Sequence, residues 1–293
     1  VFKTRLLSSV AASAAVVSVL AGPAHAEGAF EEYVALGDSW AADFTLSQGT
    51  AEYAPLGCGQ SRHNYPKQIA ATLHVARFQD ASCEGATTNE LTSAQTTRDG
   101  TNAPQFDRLT PATDLVTLEI GGDDAHLAST VERCLTVNPR ATPCQDALVV
   151  DGVDQMSANI AAAEPKVVDA IAGIKARSPR ARILLIDYFR GAPTEGGCFP
   201  VIPISDSDAA WLGRKLIELD RMLARVASST GVDFVDTYSG SFGHDACQPP
   251  GVRWVEGLIP LSINPPGLAV PFHPNQLGAD HQTRTVLGYL SGA

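Results

Sequence analysis

The sequence predicts an α/β domain built on a five-stranded parallel sheet with helices on both faces. Three observations carry this prediction. Short apolar runs alternate with longer amphipathic stretches along the chain. Several of those runs end in polar turns rich in glycine. No repeat, low-complexity linker or shift in composition marks a second unit.

Taken in order, Val34, Ala35 and Leu36 form the first buried strand, Gly37 permits a sharp exit, and Asp38 or Ser39 can cap a helix over 41–48. Residues 51–64, with Pro55, Gly57 and Gly59, read as a loop, followed by a short helix over 67–73. The second strand is expected over 74–78 and leads to a turn containing Gly85. Residues 115–120 form the third, ended by Gly121, Gly122, Asp123 and Asp124. Met156, Ile160, Val167, Val168, Ile171 and Ile174 recur at helical spacing across 151–176, with Pro165 marking a break or a fresh start. The fourth strand covers 182–188. A helix follows over 209–229, with Trp211, Leu212, Leu216, Leu219, Leu223 and Val226 on one stripe, and 232–236 is the fifth strand. Residues 237–271 have many Gly and Pro and no period, so they read as an ordered loop on the strand-end face that delivers Phe272, His273, Pro274 and Asn275.

Residues 1–26 read as a secretory signal peptide: Lys3 and Arg5 precede an apolar region, and Ala24 and Ala26 sit three and one places before the expected cut. Cleavage leaves a domain over 27–293 destined for the extracellular space. No later segment is apolar enough to anchor the chain in a bilayer. The 21 basic and 32 acidic residues give a net charge of −11, or 19 − 32 = −13 without the two leader cations. That balance argues against nucleic acid and anionic membranes as partners, because phosphate binding wants clustered cations. A monomer is the default. Six cysteines in an exported chain imply three disulfides, for which 15 pairings are open. The ten-residue span between Cys134 and Cys144, with two prolines inside it, favours that pair. Joining Cys58 to Cys83 and Cys198 to Cys247 completes the pairing in sequence order.

A serine at the carboxyl end of a strand sits where open α/β sheets place chemistry. Hydrolysis by serine needs a hydroxyl, a base within reach, and donors for the oxyanion. Ser39, His273, the backbone of Gly85 and a polar residue after Gly121–Gly122 are the candidates. A plain turn at Gly37–Asp38–Ser39 is the competing account. His63, His74, His126, His244 and His281 read as packing or surface residues, and Asp123, Asp124 and His126 lack a further ligand at metal-binding spacing.

Tyr33 to Ser39, Gly85-Ala86-Thr87-Thr88, Ile120-Gly121-Gly122-Asp123-Asp124, Gly243 to Cys247, and His273-Pro274-Asn275-Gln276-Leu277-Gly278 resemble, in order, the blocks of the SGNH hydrolases, also called GDSL lipases and esterases. The likeness is greatest to secreted, disulfide-bonded actinobacterial lipase-esterases, whose cysteine order supports the pairing above. It implies a three-layer flavodoxin-like sandwich and hydrolysis of carboxylic esters with no cofactor and no metal. It makes Ser39 the nucleophile and His273 the base, with the N–H groups of Ser39 and Gly85 as oxyanion donors. Small-molecule or lipid esters are the implied substrates. The absence of Gly-x-Ser-x-Gly argues against the other common α/β hydrolase fold.

Three positions depart from the family pattern. Val270 stands where an Asp usually orients the histidine, so a Ser39–His273 dyad is expected, with the Val270 carbonyl holding the imidazole and Asp280 as a weaker substitute. Asp123 replaces the Asn whose amide is the third oxyanion donor, and an ionised carboxylate accepts rather than donates. This substitution motivates an alternative function, a catalytically weakened relative that binds lipid or glycan. Glu84 stands beside Gly85 in place of a small residue, facing either solvent or the site. Trp40 replaces a Leu or Tyr and reads as core packing.

Overall fold

The computed structural model describes residues 1, 30–43, 49–50, 55–259, 261–263, 266–268 and 270–292. The leader expected over 1–26 lies, Val1 apart, outside the described residues, as does the stretch 44–48 of the expected first helix.

Five parallel strands form the central sheet: β1 (Glu32–Gly37), β2 (Arg77–Asp80), β3 (Leu115–Glu119), β4 (Arg182–Ile186) and β5 (Asp233–Val235). Their order is β2-β1-β3-β4-β5, with Tyr33 opposite Leu115, Leu115 opposite Arg182 and Leu184 opposite Asp233. This is the flavodoxin-like order, in which connections from β1 and β3 leave in opposite directions and open a crevice between their carboxyl ends. Both strands are buried along their whole length, which is why they appear in the sequence as continuous apolar runs.

Strand periodicity sorts the side chains into two cores. Tyr33, Ala35, Leu184 and Ile186 face one layer, where α2 (Tyr65–Thr72) and α7 (Gln276–Ser291) pack through Tyr65, Ile69 and Val286. Val34, Leu36, Val116 and Leu118 face the other, covered by α5 (Gln155–Arg177) and α6 (Asp206–Thr230) through Ile160, Val167, Ile171, Leu216 and Leu223. The three-layer sandwich is therefore as expected.

The three long helices each start on a polar side chain. Asp154 accepts from the N–H groups of Met156 and Ser157 at α5, Ser205 from Asp208 at α6, and Asn275 from Leu277 and Gly278 at α7. Contrary to expectation, Pro165 does not break α5. Buried Ile160 and Ala163 before it and Val167, Ile171 and Ile174 after it hold both halves on the sheet, which outweighs the one lost backbone bond. The second strand begins at Arg77 rather than His74, because His74 takes a left-handed conformation (φ 53°) as the chain leaves α2. Of the helix expected over 41–48, the described residues form the end of a single turn, α1 (Ser39–Ala42), capped by left-handed Asp43. Within 237–271, the loop carries an antiparallel hairpin, β6 (Leu261–Ile263) with β7 (Pro266–Leu268).

Disulfides join Cys58 to Cys83, Cys134 to Cys144 and Cys198 to Cys247, the pairing in sequence order. Among the described residues, no helix is long and apolar enough to cross a membrane.

Gly278, in the first turn of α7 shortly after His273, leaves no room for a side chain. A Cβ there would lie 2.6 Å from Phe189 Cζ and 2.7 Å from the Trp254 carbonyl oxygen, which is backbone and cannot rotate away. Gly-to-Ala in a helix ordinarily gains about 1 kcal/mol. Here overpacking reverses the sign, and Gly278→Ala is expected to lose about 1–3 kcal/mol in urea unfolding; a stabilised variant would contradict this packing.

Candidate active site

Ser39 is placed by the turn at the end of β1. Gly37 has φ 155°, and a Cβ on it would meet the Glu119 carbonyl oxygen at 2.5 Å, so only glycine lets β1 and β3 approach this closely. The Gln105 amide clamps Gly37 from both sides, accepting from its N–H and donating to its carbonyl, each at 2.9 Å. Asp38 then accepts from the Trp40 N–H at 2.9 Å and caps α1. Ser39 is left 8% exposed at the first residue of that turn of helix.

His273 Nε2 lies 2.9 Å from Ser39 Oγ, although 234 residues separate them in sequence. Its Nδ1 lies 2.8 Å from the Pro271 carbonyl oxygen. A carbonyl only accepts, so Nδ1 carries the ring proton, and the neutral imidazole presents a lone pair at Nε2 to the serine O–H. Burial pushes the His273 pKa below the usual histidine value, against a smaller opposing effect of the Pro271 bond. The ring is therefore poised as a base rather than an acid at neutral pH.

The orienting carbonyl is Pro271, not Val270 as the sequence predicted. Phe272 is left-handed (φ 61°) and reverses the chain, so the Pro271 carbonyl turns onto the ring while the Val270 carbonyl meets the His273 backbone N–H at 3.4 Å. Asp280 is committed elsewhere, accepting from Gln68 at 3.0 Å and Gln276 at 2.8 Å. The segment is held firmly. Phe272 N–H donates to the Glu256 carbonyl and Glu256 N–H to the His273 carbonyl. Asn275 donates to the Arg253 carbonyl at 2.9 Å and to Glu256 Oε1 at 2.8 Å, and Glu256 is paired with Arg253 in a buried salt bridge.

Asp123 follows β3 and lines the same cleft as Ser39 and His273. Gly122 beside it donates its N–H to Tyr188 Oη at 3.0 Å, and the Tyr188 hydroxyl donates in turn to Asp38 Oδ2. One phenol thus ties the serine turn to the Asp123 turn. Burial raises the Asp123 pKa to about 6, with Asp124, Glu84 and Glu90 adding to the rise and His126 opposing it. Asp124 is bound to other partners, accepting from the Thr88 N–H at 2.9 Å and Thr88 hydroxyl at 2.7 Å at the start of α3 (Thr88–Thr92), with Lys166 at 3.5 Å.

Gly85 takes φ 70° with open space where a Cβ would be. Its turn is joined to the end of β1 by the Cys83 N–H to Gly37 carbonyl bond at 3.1 Å. Glu84 is exposed, and its carboxylate reaches the site through its charge on Asp123. Tyr188 was not foreseen as a site residue. The available signal was a tyrosine two residues past the apolar run of β4, where a buried hydroxyl must find partners.

Beyond Ser39 the cleft offers about 170 Å³, space for on the order of ten water-sized spheres. Trp40, Leu127, Val131, Ile202, Leu212 and Leu216 wall it. Trp40 is both wall and packing residue, edge-on to Tyr188 at 5.4 Å and tilted against Phe189 at 4.9 Å. An apolar chain fits such walls, with its polar end at the serine.

The GDSL-like Lipase/Acylhydrolase family profile matches residues 35–281. The chain is 37% identical over 280 residues to Lipase 2 of Streptomyces coelicolor, covering 92% of this chain and 89% of the relative. It is 26% identical to a lipase of Streptomyces rimosus, over 89% of this chain and 86% of that protein. The crystal structure of an extracellular lipase from Streptomyces rimosus superposes with a TM-score of 0.64 at 25% identity, covering 89% of this chain and 99% of that one. A phospholipase A1 from Streptomyces albidoflavus shares the fold, with a TM-score of 0.65 at 21% identity over 90% and 99% of the two chains. The chain belongs to the GDSL-like Lipase/Acylhydrolase family, hydrolases of the lipase and esterase type.

Proposed function

We propose that the protein is an exported hydrolase that cleaves carboxylic acyl esters through a Ser39–His273 dyad and an acyl-enzyme intermediate. The observation that carries this reading is the 2.9 Å contact between Ser39 Oγ and His273 Nε2, with the tautomer fixed by Pro271. Ser39 Oγ attacks the ester carbonyl as its proton passes to His273 Nε2. The tetrahedral intermediate collapses, and the alcohol leaves with that proton. Water then attacks the acyl-serine, giving its proton to His273, and the acid departs as Ser39 is restored. The backbone N–H groups of Ser39 and Gly85 serve as oxyanion donors. The apolar cleft favours an aliphatic acyl chain, in keeping with relatives named lipases. Export is supported by the leader-like 1–26 and the three disulfides.

Asp123 completes the oxyanion site as a neutral carboxylic acid. Below about pH 6 its carboxyl is protonated and can donate; above it, the carboxylate repels the developing charge. His273 must stay neutral to act, and burial places its titration below the usual histidine value. The two demands overlap in a mildly acidic window. One observation favours the alternative of a weakened binding protein, the carboxyl at position 123, and that alternative has no acidic optimum.

Replacing Ser39 with Ala is expected to lower kcat/KM on p-nitrophenyl acyl esters by at least about 10³-fold with the unfolding midpoint unchanged; retained turnover would rule out the dyad. For the native protein, kcat/KM should peak near or below pH 6 and fall as pH rises. Asp123→Asn should remove that alkaline fall and raise the rate at pH 8 by about 10²-fold, whereas an unchanged profile would show that residue 123 does not face the oxyanion.

A further inference from the structure

Three uncharged segments are joined beside the cleft, which two of them line through Ile202, Ile204, Pro271 and Phe272. Residues 257–272 contain no Asp, Glu, Lys or Arg in sequence, in a chain that is 18% charged, and neither do 196–205 or 134–139; of the first segment the structure describes 257–259, 261–263, 266–268 and 270–272. Backbone hydrogen bonds join them: Leu258 N–H to the Val201 carbonyl at 2.9 Å, and Thr136 N–H to the Pro203 carbonyl at 2.7 Å. Their outward side chains are large and apolar. Ile259, Leu261 and Ile263 are more than half exposed, Leu258 and Leu135 about two-fifths, and Val137 almost fully. Their inward neighbours Ile202 and Ile204 are buried and line the cleft.

This rim is fixed to the site. Arg253, locked to Glu256, donates to the Leu261 carbonyl at 3.3 Å at the base of the β6–β7 hairpin, and Glu256 donates its N–H to the His273 carbonyl at 3.0 Å. Contiguous exposed apolar surface of this kind marks an interaction site. Besides the Arg253–Glu256 pair, the charges bounding these segments are Glu132 and Arg133 at the end of α4 (Leu127–Arg133), Arg140, Glu195 and Asp206, of mixed sign. A surface that is apolar, uncharged and continuous with the ester cleft matches an uncharged or zwitterionic lipid surface. An anionic one would instead meet a chain of net charge −11.

We propose that this rim, from the β6–β7 hairpin through 201–204 to 135–137, docks the protein onto the surface of aggregated zwitterionic or neutral lipid, so that an acyl chain passes from the aggregate into the cleft. The proposal rests on the reading of the cleft as an acyl-ester site, and its test separates docking from turnover.

Vesicle binding is measured by flotation with Ser39→Ala protein, which leaves lipid intact, using phosphatidylcholine vesicles and, separately, phosphatidylglycerol vesicles. The full chain is expected to bind phosphatidylcholine. Adding Ile259→Ser, Leu261→Ser and Ile263→Ser should lower the partition coefficient at least tenfold, about 1.4 kcal/mol. Leu135→Ser with Val137→Ser, at the far end of the rim, should lower it as well. With Ser39 retained, both sets of changes should leave turnover of a soluble short-chain ester unaltered. Docking is overturned if the parent ignores phosphatidylcholine or binds only phosphatidylglycerol, if both rim variants bind like the parent, or if soluble-ester turnover falls together with binding. Loss of ester hydrolysis as the activity of Ser39 would overturn the dyad instead, and leaves the flotation result standing by itself.

Discussion

The site depends on one hydrogen bond outside the dyad, from His273 Nδ1 to the Pro271 carbonyl. It sets the tautomer, and the tautomer decides whether Nε2 accepts the serine proton or competes with it. A carbonyl does this without a formal charge, so it offers an imidazolium less stabilisation than a carboxylate does. The lowered His273 pKa follows from burial that this bond only partly offsets. Left-handed Phe272 aims the carbonyl, the Arg253–Glu256 pair and Asn275 hold Phe272 in place, and Asn275 also starts α7. A strained residue persists where its surroundings over-determine it.

Beneath the dyad lies a band of buried carboxyls. Asp38 is pushed up to about 8 and Asp187 to about 7, while Glu119 and Asp220 rise well above the usual range, all chiefly through burial. Groups whose native pKa is raised bind more protons folded than unfolded between about pH 4 and 8. Their contribution to stability is full below the unfolded carboxylate range and is lost as pH rises through the folded values. With the role proposed for Asp123, fold and site lean toward the same side of neutrality, since burial raises the pKa of both Asp123 and Asp38. Tyr188 is the mechanical counterpart, since its hydroxyl holds Asp38 and Gly122 together.

Much of this was legible in the sequence because buried parallel strands must be apolar along their length and must end in turns that need glycine. That logic located β1, β3 and β4 and, with them, Ser39 and Asp123. Helix α7 was missed, since Gly278, His281, Gln282 and Thr283 break its apolar stripe even though all are buried. Gln282 is there to bond Glu119 at 2.9 Å, a partner that only the fold reveals. Position 270 was misread for a similar reason: which of two adjacent carbonyls meets an imidazole depends on the φ of Phe272, and no residue type encodes that. Pro165 was overweighted as a local rule where packing on both sides decides the outcome.

In the proposed reaction Ser39, activated by His273, is the group that becomes acylated. A long-chain alkyl fluorophosphonate, which forms a stable adduct with an activated serine, tests it directly by intact-mass and peptide mass spectrometry. One adduct per chain is expected, carried by the peptide containing Ser39, with labelling slowed by at least about 10²-fold in His273→Ala. An adduct on another residue, or labelling of Ser39 at an unchanged rate without His273, would contradict it.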